Sequence, residues 1–143
     1  TATLFDAGTR AIGFTDTAAT PPSTATIGSG GDALVLKISQ DAYQGSAQYT
    51  VKVDGIQIDG TQTASALHGA GTDTLTVLGD WSAGQHKVTV SFLNDLYGGS
   101  PSADRNLYIE GITFDDAPAG GAVTVPNSTA TLYDAGSRDF LFS

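Results

Sequence analysis

The sequence contains no cysteine. That excludes a disulfide framework, a thiolate zinc site and a thiol redox centre. Basic residues are scarce: six Lys and Arg stand against fifteen Asp and Glu, for a formal net charge of -9. Without a Lys and Arg footprint the chain has nothing with which to neutralise phosphates, so nucleic acid and anionic membrane surfaces are excluded as partners. No stretch approaches the roughly 18 apolar residues of a spanning helix, which excludes membrane insertion. There is no starting Met and no basic segment followed by an apolar one, as a signal peptide would have. We therefore expect a chain that begins within a longer protein or is a processed product. Catalytic motifs are missing as well. There are two histidines, His68 and His86, no Gly-x-Ser-x-Gly and no His-Glu-x-x-His. Neither histidine has a Ser or Asp partner that sequence alone can place in a triad, so the chain does not read as an enzyme.

The acids that are present are unusual in kind. Fourteen of the fifteen are Asp, and only Glu110 is Glu. An acidic helical protein would draw on Glu and Lys, the better helix formers. Asp with 18 Gly and abundant Thr suits turns and strand loops. Short carboxylates in loops also suit a hard cation such as Ca²⁺, which takes oxygen ligands. Solubility alone is the competing explanation.

Residues 1–10 read TATLFDAGTR and residues 129–138 read TATLYDAGSR. The two differ only by Phe5 against Tyr133 and Thr9 against Ser137. Three arrangements account for such a pair. The chain is one unit of a tandem array plus the opening strand of the next. The copies are equivalent edge strands of one domain. Or residues 129–143 complete a sheet in a neighbouring copy.

Between the ends, strand signals dominate. Residues 32–39 alternate through Leu34, Leu36 and Ile38. Residues 48–53 form a second strand, and Asp54-Gly55 is a hairpin turn into residues 56–58. Residues 61–68 suit an edge strand, and residues 74–78, 86–92 and 107–112 give three more. A short strand, a turn at Asp6-Ala7-Gly8 and a second strand are expected in residues 1–15. Residues 16–31 and 117–130, rich in Pro, Gly, Ser, Thr and Ala, read as linkers. No window makes a convincing amphipathic helix. The expectation is an all-β fold, a β-sandwich with jelly-roll strand order. Its compact core spans about residues 27–117, with an N-terminal strand and linker at 1–26. Residues 118–143 would be a linker with the start of a next repeat, or closing strands.

The segment NDLYGGSPSADRN, residues 94–106, reads as a long polar loop. It carries Asn94, Asp95, Asp104 and Asn106, whose oxygens can converge on a cation, and a solvated loop with Asx turns is the alternative. Arg105 would pair with an Asp or donate to a ligand oxygen, the salt bridge being favoured. The spacing of a calmodulin-type loop is absent. Trp81 is expected to pack on the core. Tyr43 and Tyr97, in loops, are candidates for a ligand surface because a phenol ring has an apolar face and a polar tip.

WSAGQHKVTVSFLNDLYGGSPSADRNLYIEGI, residues 81–112, resembles the calcium-dependent, xylan-binding carbohydrate-binding modules of family sixty. These are related by circular permutation to family thirty-six. DAYQGSAQYTVKVDGIQI, residues 41–58, is similar to their preceding segment. The resemblance implies a β-sandwich whose loops hold a calcium that takes part in sugar binding. Carried onto this chain, it makes Asp95 and Asp104 the leading calcium ligands, followed by Asn106. Residues 41–48 would line the other side, with Tyr43, Gln44 and Gln48 as ligand contacts facing Asn94 and Tyr97. Members of the family commonly have an acid just after the Gly of this loop, where this chain has Ser46, Ala47 and Gln48. That removes one acidic contact, for which Asp41 is the candidate replacement.

Together these readings point to calcium-dependent, non-catalytic binding of a polysaccharide such as xylan or galactan. The setting would be secreted or on the cell surface, in a bacterial protein with neighbouring copies joined through the terminal strands. The alternative is a structural or assembly repeat of an extracellular filament or surface protein, in which calcium only rigidifies loops.

Overall fold

In the computed structural model of the chain, residues 21–118 and 120–143 are described. The strand-turn-strand expected in residues 1–15 lies outside them. The described residues contain no helix. The twelve strands are β1 (Thr24–Gly28), β2 (Asp32–Asp41), β3 (Gln48–Val53), β4 (Ile56–Gln57), β5 (Gln62–Thr63) and β6 (Asp73–Gly79). They continue with β7 (His86–Phe92), β8 (Leu96–Tyr97), β9 (Asp104–Asp115), β10 (Val123–Thr124), β11 (Ala130–Leu132) and β12 (Gly136–Phe142). One sheet runs β1-β6-β2-β9-β10, with β8 and β11 also paired to β9. The other runs β12-β7-β3-β4, with β5 also on β3. The fold is the expected all-β sandwich.

Its core lies between the sheets, as alternation dictates. Leu34, Leu36 and Ile38 of β2, Leu75 and Val77 of β6, and Leu107 and Ile109 of β9 face Val51 and Val53 of β3 and Val88, Val90 and Phe92 of β7. Trp81 packs against this core as expected, its ring edge-on to Phe142 at 5.5 Å between centroids.

Two segments that read as linkers are partly strands. β1 pairs in parallel with β6, a pairing that needs no alternation of its own because most of its outer residues stay exposed. Residues 123–142 join both sheets: β10 and β11 lie on β9, and β12 on β7. Val125, Leu132, Phe140 and Phe142 are buried among the core residues. The core therefore runs past residue 117, and the repeat at 129–138 pairs within this chain.

One irregularity decides what β9 shows to solvent. Lys37 pairs with Gly111 and Ile38 with Ile109, so Glu110 is an extra residue in β9. Such a bulge reverses which residues face in. Beyond it the even positions Ile112 and Phe114 are buried in the core. Before it the odd positions Leu107 and Ile109 are buried, and the even positions Asp104, Asn106, Tyr108 and Glu110 fall on the outer face.

At the far end of the sandwich Asp54-Gly55 makes the two-residue turn between β3 and β4, with positive φ at both (51° and 85°). Asp54 also braces β7, accepting from Lys87 N at 2.9 Å and from His86 Nδ1 at 2.7 Å. The other ring nitrogen lies 2.7 Å from the Ser82 carbonyl. Both partners only accept, so the ring must be doubly protonated to satisfy both. The Asp54 hydrogen bond and then the Ser82 carbonyl raise the His86 pKa above its usual 6.5. The His86 hydrogen bond and the Lys87 amide lower that of Asp54 below 3.8. A raised histidine pKa stabilises fully below the unfolded value and loses that effect as pH climbs through the folded one. The lowered Asp54 value acts in the opposite window, fading as pH falls below 3.8. We predict that Tm falls as pH rises from 6.5 through the raised folded-state value, and that His86→Ala flattens this slope. Trp81 fluorescence in melts across that range measures it, and an unchanged slope in the variant would refute the assignment.

Candidate calcium and carbohydrate site

The sequence places Arg105 on the inward side of β9, and its side chain is only 7% exposed. Among the described residues it forms no salt bridge, contrary to the expectation from the flanking acids. Its guanidinium donates instead to main-chain carbonyls. Nε and Nη2 reach Tyr43 O at 3.1 and 2.6 Å, Nη2 also reaches Gln44 O at 2.8 Å, and Nη1 reaches Asn94 O at 2.6 Å. The guanidinium fork suits this task because its donors diverge in one plane. The 42–45 turn wraps the cation closely enough that a side chain at Gly45 would meet Nη2 at 3.3 Å. Gln44 and Gly45 both take positive φ there (50° and 121°).

The facing segment is not one long loop. β8 pairs with the start of β9, Leu96 with Arg105 and Tyr97 with Asp104. Gly98 N donates to Ala103 O, and Ala103 N to Ser100 O at 2.9 Å, which closes a tight turn. Two glycines permit that closure, since the Tyr43 hydroxyl stands where a side chain at 98 would be.

Outside this frame lie the acids. Asn106 Nδ2 donates to Asp41 Oδ2 at 3.0 Å and to Asp104 Oδ2 at 3.1 Å. Asp41 is the register partner of Asn106 across β2 and β9. The Tyr108 hydroxyl donates to the same Asp41 oxygen at 2.6 Å. Burial, then Asp41, pushes the Tyr108 pKa upward, with Tyr133 and Asp104 adding to it. Because carboxylates can only accept, the Asn106 amide must turn Nδ2 toward them. That leaves Asn106 Oδ1 buried without a partner, and Asp95 Oδ1 is in the same state. Asp95 immediately precedes β8, so it lies at the same end of β9. Buried unsatisfied oxygens are costly and rare, and each calls for an explanation. The donor set is all oxygen, as hard cations require. Among the described residues no three His, Cys, Asp or Glu side chains converge as a ready-made metal cluster. A cation here would draw on amide oxygens and solvent or ligand oxygens besides the carboxylates.

The remaining expected contacts divide. Tyr97 is 60% exposed beside Asp104. Tyr43 is half-buried, its hydroxyl accepting from Gln44 Nε2 at 3.1 Å, and its carbonyl serves Arg105. Gln48 is exposed at the head of β3, in the other sheet. Asn94 is a brace and not a free ligand contact: Oδ1 accepts from Gln48 N at 2.7 Å, and Nδ2 donates to Ser46 O at 3.0 Å. Ser46 itself lies 3.2 Å from the buried Gln40 amide, and Ala47 is fully buried.

Several residues were not expected. Tyr133 follows Leu132, the partner of Leu107, and is 62% exposed. His68 stacks on Tyr108 with ring centroids 3.7 Å apart, and its Nδ1 lies 2.8 Å from Glu110 Oε1. Ser39 Oγ donates to the same Glu110 oxygen at 2.6 Å and lies 3.2 Å from the same His68 nitrogen. This Ser-His-Glu group is not a catalytic relay, which needs serine and acid on opposite ring nitrogens. The signal for these residues was the outward parity of positions 104, 106, 108 and 110, hidden until the bulge is known.

Another cleft lies elsewhere. A cavity of about 600 Å³ opens between β10 and β12, lined by Phe114, Val125, Pro126, Phe140 and Leu141. It is at the other end of the twelve-residue β9, about 30 Å from Asp104 at the usual rise per residue.

The family model of calcium-dependent, xylan-binding carbohydrate-binding modules, CBM60, matches residues 33–124. The chain belongs to this family. It is a non-catalytic carbohydrate-binding module. Two solved structures share the fold with a TM-score of 0.50 and 13% identity, each over 76% of this chain. One is vCBM60 in complex with galactobiose, of which 96% is covered. The other is the selenomethionine form of vCBM60, reported with a circular permutation linking two families of calcium-dependent modules, of which 89% is covered. No curated protein matches the chain in sequence.

The frame around Arg105 yields a prediction. Removing it leaves three carbonyls without their donor, and lysine cannot span all three. Arg105→Ala should lower stability by about 3 kcal/mol, with Arg105→Lys recovering only part of it. Urea denaturation measures this, and hydrogen exchange should quicken at residues 43–48 and 94–98. An alanine variant as stable as the parent would contradict the bracing role.

Proposed function

We propose that this module binds polysaccharide through a calcium held at the acidic end of β9, by Asp41, Asp104, Asn106 and Asp95. The observation that carries it is the pair of buried oxygens, unpartnered among the described residues, at the end of β9 where two carboxylates share one amide donor. Bound Ca²⁺ would supply a centre for sugar hydroxyls that replace its water. Asp41 and Asp104 supply the negative charge, and Asn106 holds the two within one network. Tyr97 and Tyr133, both exposed at this end of β9, offer ring faces to a sugar chain.

A calcium that only rigidifies loops is less well supported, because Arg105 already ties residues 43–44 to residue 94. Xylan and galactan are the glycan classes to test first, given the family description and the galactobiose bound by vCBM60. We place the module outside the cell, secreted or on a bacterial surface, where such polysaccharides occur.

Calcium titration by calorimetry, followed by xylan and β-galactan binding with and without chelator, tests the proposal. Asp104→Ala and Asp41→Ala should weaken calcium by roughly tenfold or more, since affinity follows ligand charge. Sugar binding that survives chelation intact would sink it. Tyr97→Ala and Tyr133→Ala should behave differently. Each is predicted to weaken polysaccharide binding by up to roughly tenfold while leaving the calcium isotherm unchanged. Loss of calcium affinity in either would remove that tyrosine from the sugar surface.

A further inference from the structure

The outer face of β9 continues past the acidic end. Tyr108 and Glu110 follow Asn106 at alternate positions and stay partly exposed. They stand about 7 Å and about 13 Å further along at the usual rise per residue. A polysaccharide held at Asn106 and laid along the strand would pass over both.

The ring it would meet there is fixed in place. His68 lies flat on Tyr108, the two planes 5° apart and the centroids 3.7 Å apart. His68 Nδ1 is 2.8 Å from Glu110 Oε1. A carboxylate only accepts, so Nδ1 carries the proton. Ser39 Oγ donates to the same Glu110 oxygen at 2.6 Å and so braces the carboxylate. The tautomer and the plane of the imidazole are thus both set. The backbone does not need this lock. His68 N already donates to Gln40 O at 2.8 Å, and Gln40 N to Ala66 O at 2.9 Å. Leu67 bridges Gln40 as well. The side-chain contacts therefore orient the ring more than they hold the chain.

The fixed ring is nevertheless left open to solvent. The His68 side chain is 42% exposed and that of Glu110 31%. Tyr108 covers one face of the imidazole, so the exposed part is the other face and the Nε2 edge. Among the described residues neither His68 Nε2 nor Glu110 Oε2 has a hydrogen-bond partner. A sugar ring can pack its C–H face on such a flat surface. Its hydroxyls can donate to the free carboxylate oxygen and to Nε2. Because the imidazole is already immobilised, little side-chain freedom is lost on binding.

We propose that His68 and Glu110 form a second sugar subsite, which takes a further unit of the polysaccharide held at the calcium. The inference rests on the calcium reading for where the sugar chain is anchored, but the subsite itself contains no calcium ligand.

Calorimetry at saturating calcium tests it, with xylo-oligosaccharides and β-linked galacto-oligosaccharides from disaccharide to hexasaccharide. Affinity of the parent chain should rise with length in at least one series. His68→Ala should cut the ratio of hexasaccharide to disaccharide affinity roughly fivefold. That ratio cancels any change in calcium occupancy. His68→Phe keeps a ring on Tyr108 and should recover more of the ratio than alanine does. A ratio unchanged in His68→Ala overturns the subsite, as does a phenylalanine variant no better than alanine. So does a parent chain whose affinity does not grow with length. Failure of the calcium reading would look different: binding would resist chelator while the ratio still depended on His68.

Discussion

The site depends on a buried cation that meets no anion among the described residues. Arg105 sits under the end of the sandwich and is satisfied by the carbonyls of Tyr43, Gln44 and Asn94. A guanidinium stripped of water must recover its hydrogen bonds within the protein, or the fold bears the desolvation cost. Here the recovery comes from two chain segments about fifty residues apart in sequence. Satisfying Arg105 and positioning the loops are therefore the same event. Had Asp104 or Asp95 paired with it, as adjacency in sequence suggests, that carboxylate would be neutralised. Carbonyl ligation leaves the acids outside, with their charge available to a cation.

The bulge at Glu110 does the complementary work on the outer face. Without it Asp104, Asn106 and Tyr108 would share a face with Ile112 and Phe114. A single inserted residue lets one twelve-residue strand be polar-out at one end and apolar-in at the other. It also places Asp41 of the neighbouring β2 level with Asn106, which forms the hydrogen-bonded group. Asp41 is thus held at a strand end by pairing and not by loop conformation.

Much of this was legible in the sequence. The alternation of Leu34, Leu36 and Ile38, the valines of residues 88–90 and the Asp54-Gly55 turn specify strands by local rules, and the strands formed there. Family resemblance located residues 41–48 and 94–106, and these are the segments that Arg105 draws together. What failed was non-local. β1 has no alternation to read, since its pairing to β6 satisfies main-chain groups whatever its side chains are. Residues 117–130 look like linker because β10 and β11 are two and three residues long. Asn94 looked like a ligand from its composition, but its two amide atoms are matched to the backbone of residues 46 and 48, which only the tertiary fold brings near. Tyr133 went unremarked because its relevance comes from the pairing of Leu132 with Leu107.

The terminal repeat then acquires a physical meaning. The segment that contributes Phe140 and Phe142 to the core also presents Tyr133, which follows the pairing of Leu132 with Leu107, near Asn106. Closing the sandwich and completing the outer face of the acidic site are thus done by one segment. The first copy keeps an aromatic at the matching position, Phe5, which preserves the ring but drops the hydroxyl. A sugar stacks on either ring, but only the tyrosine can also hydrogen-bond. Tyr133 therefore adds to the outer face beside Asn106 both a ring and a hydrogen-bonding tip.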